Sequence, residues 1–308
     1  MTGATIAPLG SNVVALGLTA AALWGVSDFL GGIAARRAPA VVVVAVAHGV
    51  SLAVLSVIAA TVHPDLPDRR IVLWAVITGL TGGIAVILFY RALALGEMGL
   101  TAALTGLLTA LVPVVVSWFT EGHPSESQLV GFVIAAVAIC LIAYQPSEDL
   151  RPHPRGLLLG TIAGLGFGAF LVASKYASPQ HSNYATVLWP LAYSRLASAS
   201  VAVIIVLISR WRSQTSARTE QRSINHAQVH GILIVLSLAG AAGLLEAWGN
   251  LLYMLSTVSG RLDVAAVLSS LYPAGTILLA IWLLKERATG SKALGMALAL
   301  LAVLVISL

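Results

Sequence analysis

Charged residues are scarce in this 308-residue chain: Asp, Glu, Lys and Arg make up 9% of it, whereas 58% is hydrophobic. Soluble domains carry roughly 25% charged residues. Seventeen basic and twelve acidic side chains cannot cover the surface of a soluble protein of this size, so the composition excludes a water-soluble globular fold and predicts lipid as the outer solvent. The net charge of +5 therefore gives no indication of nucleic-acid binding.

Cysteine and catalytic motifs are also lacking. The single cysteine, Cys140, lies inside an apolar run, which excludes an intrachain disulfide and a cysteine-based metal site. The glycine-rich string GLGFG at 164–168 follows no strand and is interpreted as a close helix-packing surface. We expect no metal, no cofactor and no enzymatic activity, and the N-terminus has no basic region that would indicate a removable signal peptide.

Long apolar runs, in contrast, recur along the whole chain, each with about the 20 residues that cross a bilayer. We predict ten membrane-spanning helices, at 12–35, 40–61, 71–95, 99–120, 127–145, 155–177, 184–209, 230–256, 262–284 and 290–308. The breaks at 96–99 and 259–261 contain Gly and a charged residue, so we predict tight reversals there.

The two halves of the chain resemble each other. Matching positions are Gly17 and Gly160, Trp24 and Phe167, His48 and Arg195, Tyr90 and Tyr253, Gly131 and Gly295, and Glu121 and Glu286. The offset between the partners grows steadily along the chain, as a duplication with loop insertions would produce. We predict repeats at 11–146 and 154–308, and because each holds five helices, they must be inverted with respect to each other.

Lys and Arg are unevenly divided between the two ends of the predicted bundle. Eleven lie in or beside the connections after the first, fifth, seventh and ninth helices, and four lie at the other end. Because cytoplasmic loops carry the excess of positive residues, we predict that both termini lie outside the cell membrane.

Three strings carry a family resemblance: ALWGVSDFLGGIAARR in the first predicted helix, FYRALALGEMGLTAAL across the third and fourth, and the terminal LSSLYPAGTILLAIWLLKERATGSKALGMALALLAVLVI. They resemble the EamA-domain proteins of the drug/metabolite transporter superfamily. The resemblance implies an all-α membrane protein of ten helices, built as two inverted EamA repeats around a central cavity, and export of amino acids, metabolites or drugs by secondary transport. Pro113 does not match Pro273, and His48 stands where the family often has Arg.

Ionisable side chains inside a bilayer are destabilising by about 2.5 to 3.5 kcal/mol near its centre, so each one requires an explanation. Our candidates for substrate binding or proton coupling are the following residues: Asp28, His48, Arg195 and Glu246, with Trp24, Tyr90, Asn250 and Tyr253 as polar or aromatic companions.

Two carboxylates could carry a proton. Asp28 follows Trp24 by one helical turn, and burial would favour its neutral form, so it could bind and release a proton; alternatively it forms a structural ion pair. Glu246 lies one turn before Asn250 and faces Gly83 in the repeat alignment. It is interpreted either as a substrate or proton site, or as a buried partner of Arg195 or Lys175.

The remaining candidates also have two interpretations. Arg195 pairs with Glu246 or Asp28, or recognises a substrate carboxylate, because arginine does not discharge by losing its proton. His48 is a pH-sensitive group or only hydrogen-bonded. Tyr90, Tyr253 and the pair of Trp24 and Phe167 line the cavity or anchor helices at the interface. Pro113, Pro190 and Pro273 are predicted to kink helices.

The sequence as a whole predicts a secondary transporter, a proton-coupled exporter of a small metabolite such as an amino acid or of drug-like compounds. Its expected partners are a small-molecule substrate, lipid and protons, and the chain would be a monomer or homodimer. The alternatives are a membrane-embedded enzyme, a structural subunit and a passive channel.

Overall fold

The computed structural model describes residues 9–62, 65–95, 98–143, 154–179, 183–214, 226–283 and 289–308. Within these ranges the chain forms eleven α-helices and no β-strand. The helices are α1 (Leu9–Ala35), α2 (Ala40–Val62), α3 (Arg69–Leu95), α4 (Met98–Thr120), α5 (Glu126–Ala143), α6 (Pro154–Tyr176), α7 (Leu188–Gln214), α8 (His226–Ser259), α9 (Leu262–Ser269), α10 (Tyr272–Leu283) and α11 (Gly290–Ile306).

These helices confirm the predicted all-α membrane fold. In the described part of the chain, six helices are long and apolar enough to cross a bilayer, and four further apolar helices are shorter. The predicted breaks between the third and fourth runs and between the eighth and ninth runs are present, since α3 ends at Leu95 and α8 ends at Ser259.

The ninth predicted span is a correction to the sequence analysis. A single helix over 262–284 was expected, but α9 and α10 are separate, with Ser270 and Leu271 between them. The Leu271 N–H donates to the Leu268 carbonyl at 3.3 Å, a bond that tightens the last turn of α9. Pro273 has no N–H to extend the helical ladder, so the chain breaks before it and begins again as α10.

Of the three prolines predicted to kink helices, the structure places one in a helix interior. Pro113 lies inside α4, seven residues before the helix ends at Thr120. Pro190 and Pro273 lie in the first turns of α7 and α10. In a first turn the missing N–H has no intrahelical partner to lose, so those two prolines start helices rather than bend them.

Helix packing has an internal two-fold pattern. α1 packs on α8, and its counterpart α6 packs on α3, the counterpart of α8. α2 packs on its own counterpart α7, and α5 on its counterpart α11. Exchanging each helix for its equivalent in the other half leaves these pairs unchanged, which is the arrangement expected of two five-helix repeats that interlock.

Glycines at matched positions allow the closest approaches. A Cβ at Gly79 in α3 would overlap the backbone oxygen of Ser194 in α7, and a Cβ at Gly243 in α8 would overlap that of Ala47 in α2. These contacts relate the third and eighth helices by an offset of 164 residues and the second and seventh by 147. With this offset the position in the first repeat that is equivalent to Glu246 is Gly82, not the predicted Gly83.

Candidate functional site

A cavity of about 390 Å³ lies at the centre of the bundle, lined by residues from α1 to α8 and from α10. This volume falls in the range of sites for small molecules, which is roughly 300 to 1,000 Å³. Of the candidates named from the sequence, six lie on the cavity wall: Trp24, Asp28, His48, Arg195, Glu246 and Asn250.

Three of these residues form one ionic cluster. Arg195 in α7 donates from Nη1 to Oε1 of Glu246 at 2.9 Å, and His48 Nε2 in α2 lies 3.2 Å from Oε2 of the same carboxylate. The Arg195 side chain is 3% exposed and that of Glu246 33%, so the cation is buried behind the carboxylate that reaches the cavity. The repeat-related pair His48 and Arg195 thus converges on a residue that breaks the repeat.

The cluster is not saturated with hydrogen bonds. Within the described residues, His48 Nδ1 and Arg195 Nε and Nη2 are buried without a hydrogen-bond partner. A buried guanidinium is stable only beside a compensating charge, so Glu246 neutralises Arg195 in α7 and ties α2, α7 and α8 together.

Asp28 lies outside the hydrogen bonds of this cluster, but its carboxyl is close enough to that of Glu246 for electrostatic repulsion. It lies in α1, its side chain is exposed, and it lines the cavity together with Tyr272 and Pro273 of α10. Its repeat counterpart at the offset of 143 is the apolar Leu171, which also lines the cavity. The carboxyl that Asp28 presents to the cavity therefore has no equivalent in the second repeat.

Trp24 organises the aromatic part of the wall. Its Nε1 donates to Oδ1 of Asn250 at 2.8 Å, and its ring lies near Phe170, Tyr253 and Tyr272, at centroid distances of 6.5, 5.7 and 6.4 Å. Such separations are typical of favourable aromatic pairs. This hydrogen bond fixes the orientation of the Asn250 side-chain amide at the cavity wall.

The two predicted tyrosines differ from the other candidates. Tyr253 is fully buried and donates its hydroxyl to the Leu171 carbonyl at 3.1 Å, so it packs behind Trp24 and is not among the residues of the cavity wall. Tyr90 belongs to α3, but its side chain lies outside the described ones. Phe167, the counterpart of Trp24, lines the cavity and contacts the ring of Phe89 edge-on at 6.0 Å.

The cavity is pseudo-symmetric at its centre and asymmetric at one end. Wall positions that occur in both repeats include Trp24 with Phe167 and His48 with Arg195. Gly32, Val43, Phe89 and Ile142 also line the cavity, but their counterparts in the second repeat do not: Lys175, Pro190, Tyr253 and Ile306. These extra wall residues lie near the end of the bundle that holds the α1–α2 connection, which we call the α1–α2 end, so the cavity extends toward that end.

Sequence reasoning missed an ionic network at the opposite end, which holds the α4–α5 connection and is called the α4–α5 end. There Glu121, Lys175, Arg261 and Asp263 join the ends of α4, α6 and α8 to the start of α9. The sequence signal was available, because Glu121 had been matched to Glu286 and Lys175 lies at the end of a predicted span. Glu286 itself lies outside the described residues.

No set of three or more His, Cys, Asp or Glu residues suited to a metal ion occurs in the described part of the chain. The arrangement instead offers a titratable carboxyl, a neutralised carboxylate and an aromatic wall, which suits reversible binding of a small polar or amphipathic solute.

Comparison with known proteins gives the family. The EamA-like transporter family matches residues 11–144 and again 154–308. A solved crystal structure of a protein aligns with a TM-score of 0.71 at 18% identity, covering 96% of this chain and 98% of the other, which shows a shared fold. A search of curated protein sequences finds no match. With both repeats matched, the chain belongs to the EamA-like transporter family and is a multi-pass membrane transporter of the drug/metabolite transporter type.

Proposed function

We propose that this chain is a proton-coupled secondary exporter of a small amphipathic metabolite, in which Asp28 exchanges a proton for the solute. The proposal rests on the different surroundings of the two carboxyl groups on the cavity wall. Glu246 is held by Arg195 and His48, whereas Asp28 is exposed to the cavity.

The charge arrangement favours a solute with an amino group. Arg195 is buried and already paired, so it offers the cavity little free positive charge for a substrate carboxylate. Asp28 supplies a negative charge once deprotonated, and Trp24, Phe89, Phe167, Phe170 and Tyr272 supply apolar surface. A protonated Asp28 would have little attraction for a cation, so proton and amine would compete for the same side chain, and that competition couples their movements.

Each repeat contributes to this site, and we propose 11–146 and 154–308 as the two units. The chain would lie in the cell membrane with both termini outside, as a monomer or homodimer. In that orientation the cavity extends toward the cytoplasm, the direction from which an exporter takes its solute.

The test uses purified protein in liposomes. A thermal-shift comparison of L-phenylalanine with phenethylamine asks whether the solute carboxylate contributes, because binding to the folded state raises the unfolding temperature. Transport of the ligand that binds is then measured with and without a pH gradient, in the native chain and in Asp28→Asn and Glu246→Gln.

We expect Asp28→Asn to abolish both the response to the pH gradient and the thermal shift with phenethylamine, because proton and amine compete for this carboxyl in the proposed mechanism. Equal gradient-driven transport by the native chain and both variants would overturn proton coupling through these residues. A passive channel would not give saturable counterflow, so that measurement separates the carrier from a pore.

A further inference from the structure

The network at the α4–α5 end connects α4, α6 and α9 through one carboxylate. Glu121 forms an ion pair with Lys175 at the end of α6, and its Oε2 accepts hydrogen bonds from the Leu262 N–H at 2.9 Å and from Ser117 Oγ at 3.0 Å. The Glu121 side chain is 17% exposed and that of Lys175 24%, so both charges are largely withdrawn from solvent.

Arg261 extends the network across the α8–α9 connection. It donates from Nη2 to Asp263 Oδ2 at 2.7 Å and to the Gly122 carbonyl at 2.8 Å, and from Nη1 to the Glu121 carbonyl at 3.3 Å. Asp263 is fully buried and also accepts from the Val264 N–H at 2.8 Å. The α4–α5 connection is therefore fixed directly to the start of α9.

This network lies directly beyond the cavity. Leu171 is on the cavity wall, and Lys175 follows it by one turn of α6 on the same face, about 6 Å farther along the helix axis. Between them the buried Tyr253 ties α8 to the Leu171 carbonyl. A solute leaving the cavity toward the α4–α5 end would have to pass both layers.

The other end of the bundle has a different design. The repeat counterparts of Lys175, Arg261 and Asp263 are Gly32, Met98 and Leu100. Gly32 is itself on the cavity wall, and a Cβ built on it would meet no atom within 4 Å. The residue equivalent to the ion-paired Lys175 is therefore a glycine with empty space beside it. Neither cation of the network has a charged equivalent in the first repeat.

We propose that Glu121, Lys175, Arg261 and Asp263 form a one-sided gate that keeps the cavity closed at the α4–α5 end and must separate for the solute to leave there. The inference rests on the proposed transport function, because only a carrier needs both ends to open. Separation would free α9 from the α4–α5 connection, and the break between α9 and α10 lets α9 move as a short rigid unit.

The experiment measures access to the cavity and does not depend on transport. The reporter is Val86→Cys, on the cavity wall, in a Cys140→Ser background, in vesicles of known orientation. A membrane-impermeant maleimide is added from either side. With the gate intact we expect labelling from the α1–α2 end. Lys175→Met and Glu121→Gln should each raise labelling from the α4–α5 end at least about tenfold, because removing one partner of a partly buried ion pair destabilises the closed gate.

Two matched variants serve as controls. Lys175→Arg keeps the charge and should change the rate less than about twofold, whereas Arg70→Met removes an exposed charge at the same end and should have no effect. Unchanged labelling in both test variants, an equal rise in Arg70→Met, or failure of both test variants to fold would overturn the gate. If the native chain shows one-sided labelling that is lost in both test variants, but transports no ligand, the result would count against the proposed function and leave the gate standing.

Discussion

Glu246 contacts two buried side chains: its carboxylate compensates the charge of Arg195 and lies beside His48. Removing only its charge in Glu246→Gln should lower the free energy of unfolding by about 3 kcal/mol, since an uncompensated buried arginine remains. Thermal unfolding in detergent, followed by tryptophan fluorescence, measures the change.

The matched variants make this prediction specific. Asp28→Asn alters a carboxyl that is exposed to the cavity and should change stability by less than about 0.5 kcal/mol. The double variant Glu246→Gln with Arg195→Met removes both charges and should recover most of the stability lost in the single variant. A double variant as unstable as Glu246→Gln would contradict the assignment of the loss to an unpaired arginine.

The sequence alone was enough to select most of the charged residues of the cavity wall. The scarcity of intramembrane charge selected Asp28, His48, Arg195 and Glu246, and all four line the cavity. It left open which carboxyl Arg195 would meet, because helical spacing gives the face of a residue but not its neighbour across the bundle. Tyr253 could not be placed behind the wall for the same reason.

At the scale of the helices, close approach is set by glycine. Gly79→Ala and Gly243→Ala would each push a methyl group into the backbone of a neighbouring helix, which cannot move aside as a flexible side chain can. We expect each to lower the free energy of unfolding by about 1 to 3 kcal/mol, or to prevent folding. Fluorescence-detected size-exclusion chromatography of membrane extracts measures the folded fraction.

Gly49→Ala and Gly231→Ala provide the comparison, because a Cβ at either position would meet no atom within 4 Å. Alanine favours helix over glycine by up to about 1 kcal/mol, so these variants should be as stable as the native chain or more so. Equal behaviour of all four variants would refute the steric explanation.

The membrane-spanning helices could be predicted because each apolar run is about as long as a helix that crosses a bilayer. The break within 262–284 was not, because it depends on a single missing N–H at Pro273 and on the turn that closes α9 before it. The ionic network at the α4–α5 end was missed because its members lie near the ends of four different segments, far apart in the sequence.

For the whole molecule, the similarity between the two halves was the most informative sequence signal, and the packing of α1 on α8 and of α6 on α3 shows the same relation in the structure. Two related repeats would by themselves produce a symmetric cavity, so the positions where the symmetry fails are our candidates for a specific function. Asp28 against Leu171, Glu246 against Gly82 and Lys175 against Gly32 are three such positions, and each marks a feature of the proposed solute path.

The orientation of the molecule decides what that path means. Eleven Lys and Arg residues at one end against four at the other predict that the termini and the α4–α5 end lie outside. Alkaline phosphatase fused after Leu308 should therefore be active, and green fluorescent protein fused there should be dark, whereas fusions in the 215–225 connection should behave in the opposite way. The reverse pattern would place the gate on the cytoplasmic side and the extended cavity toward the outside, so the same structure would then describe the releasing state of an exporter instead of its loading state.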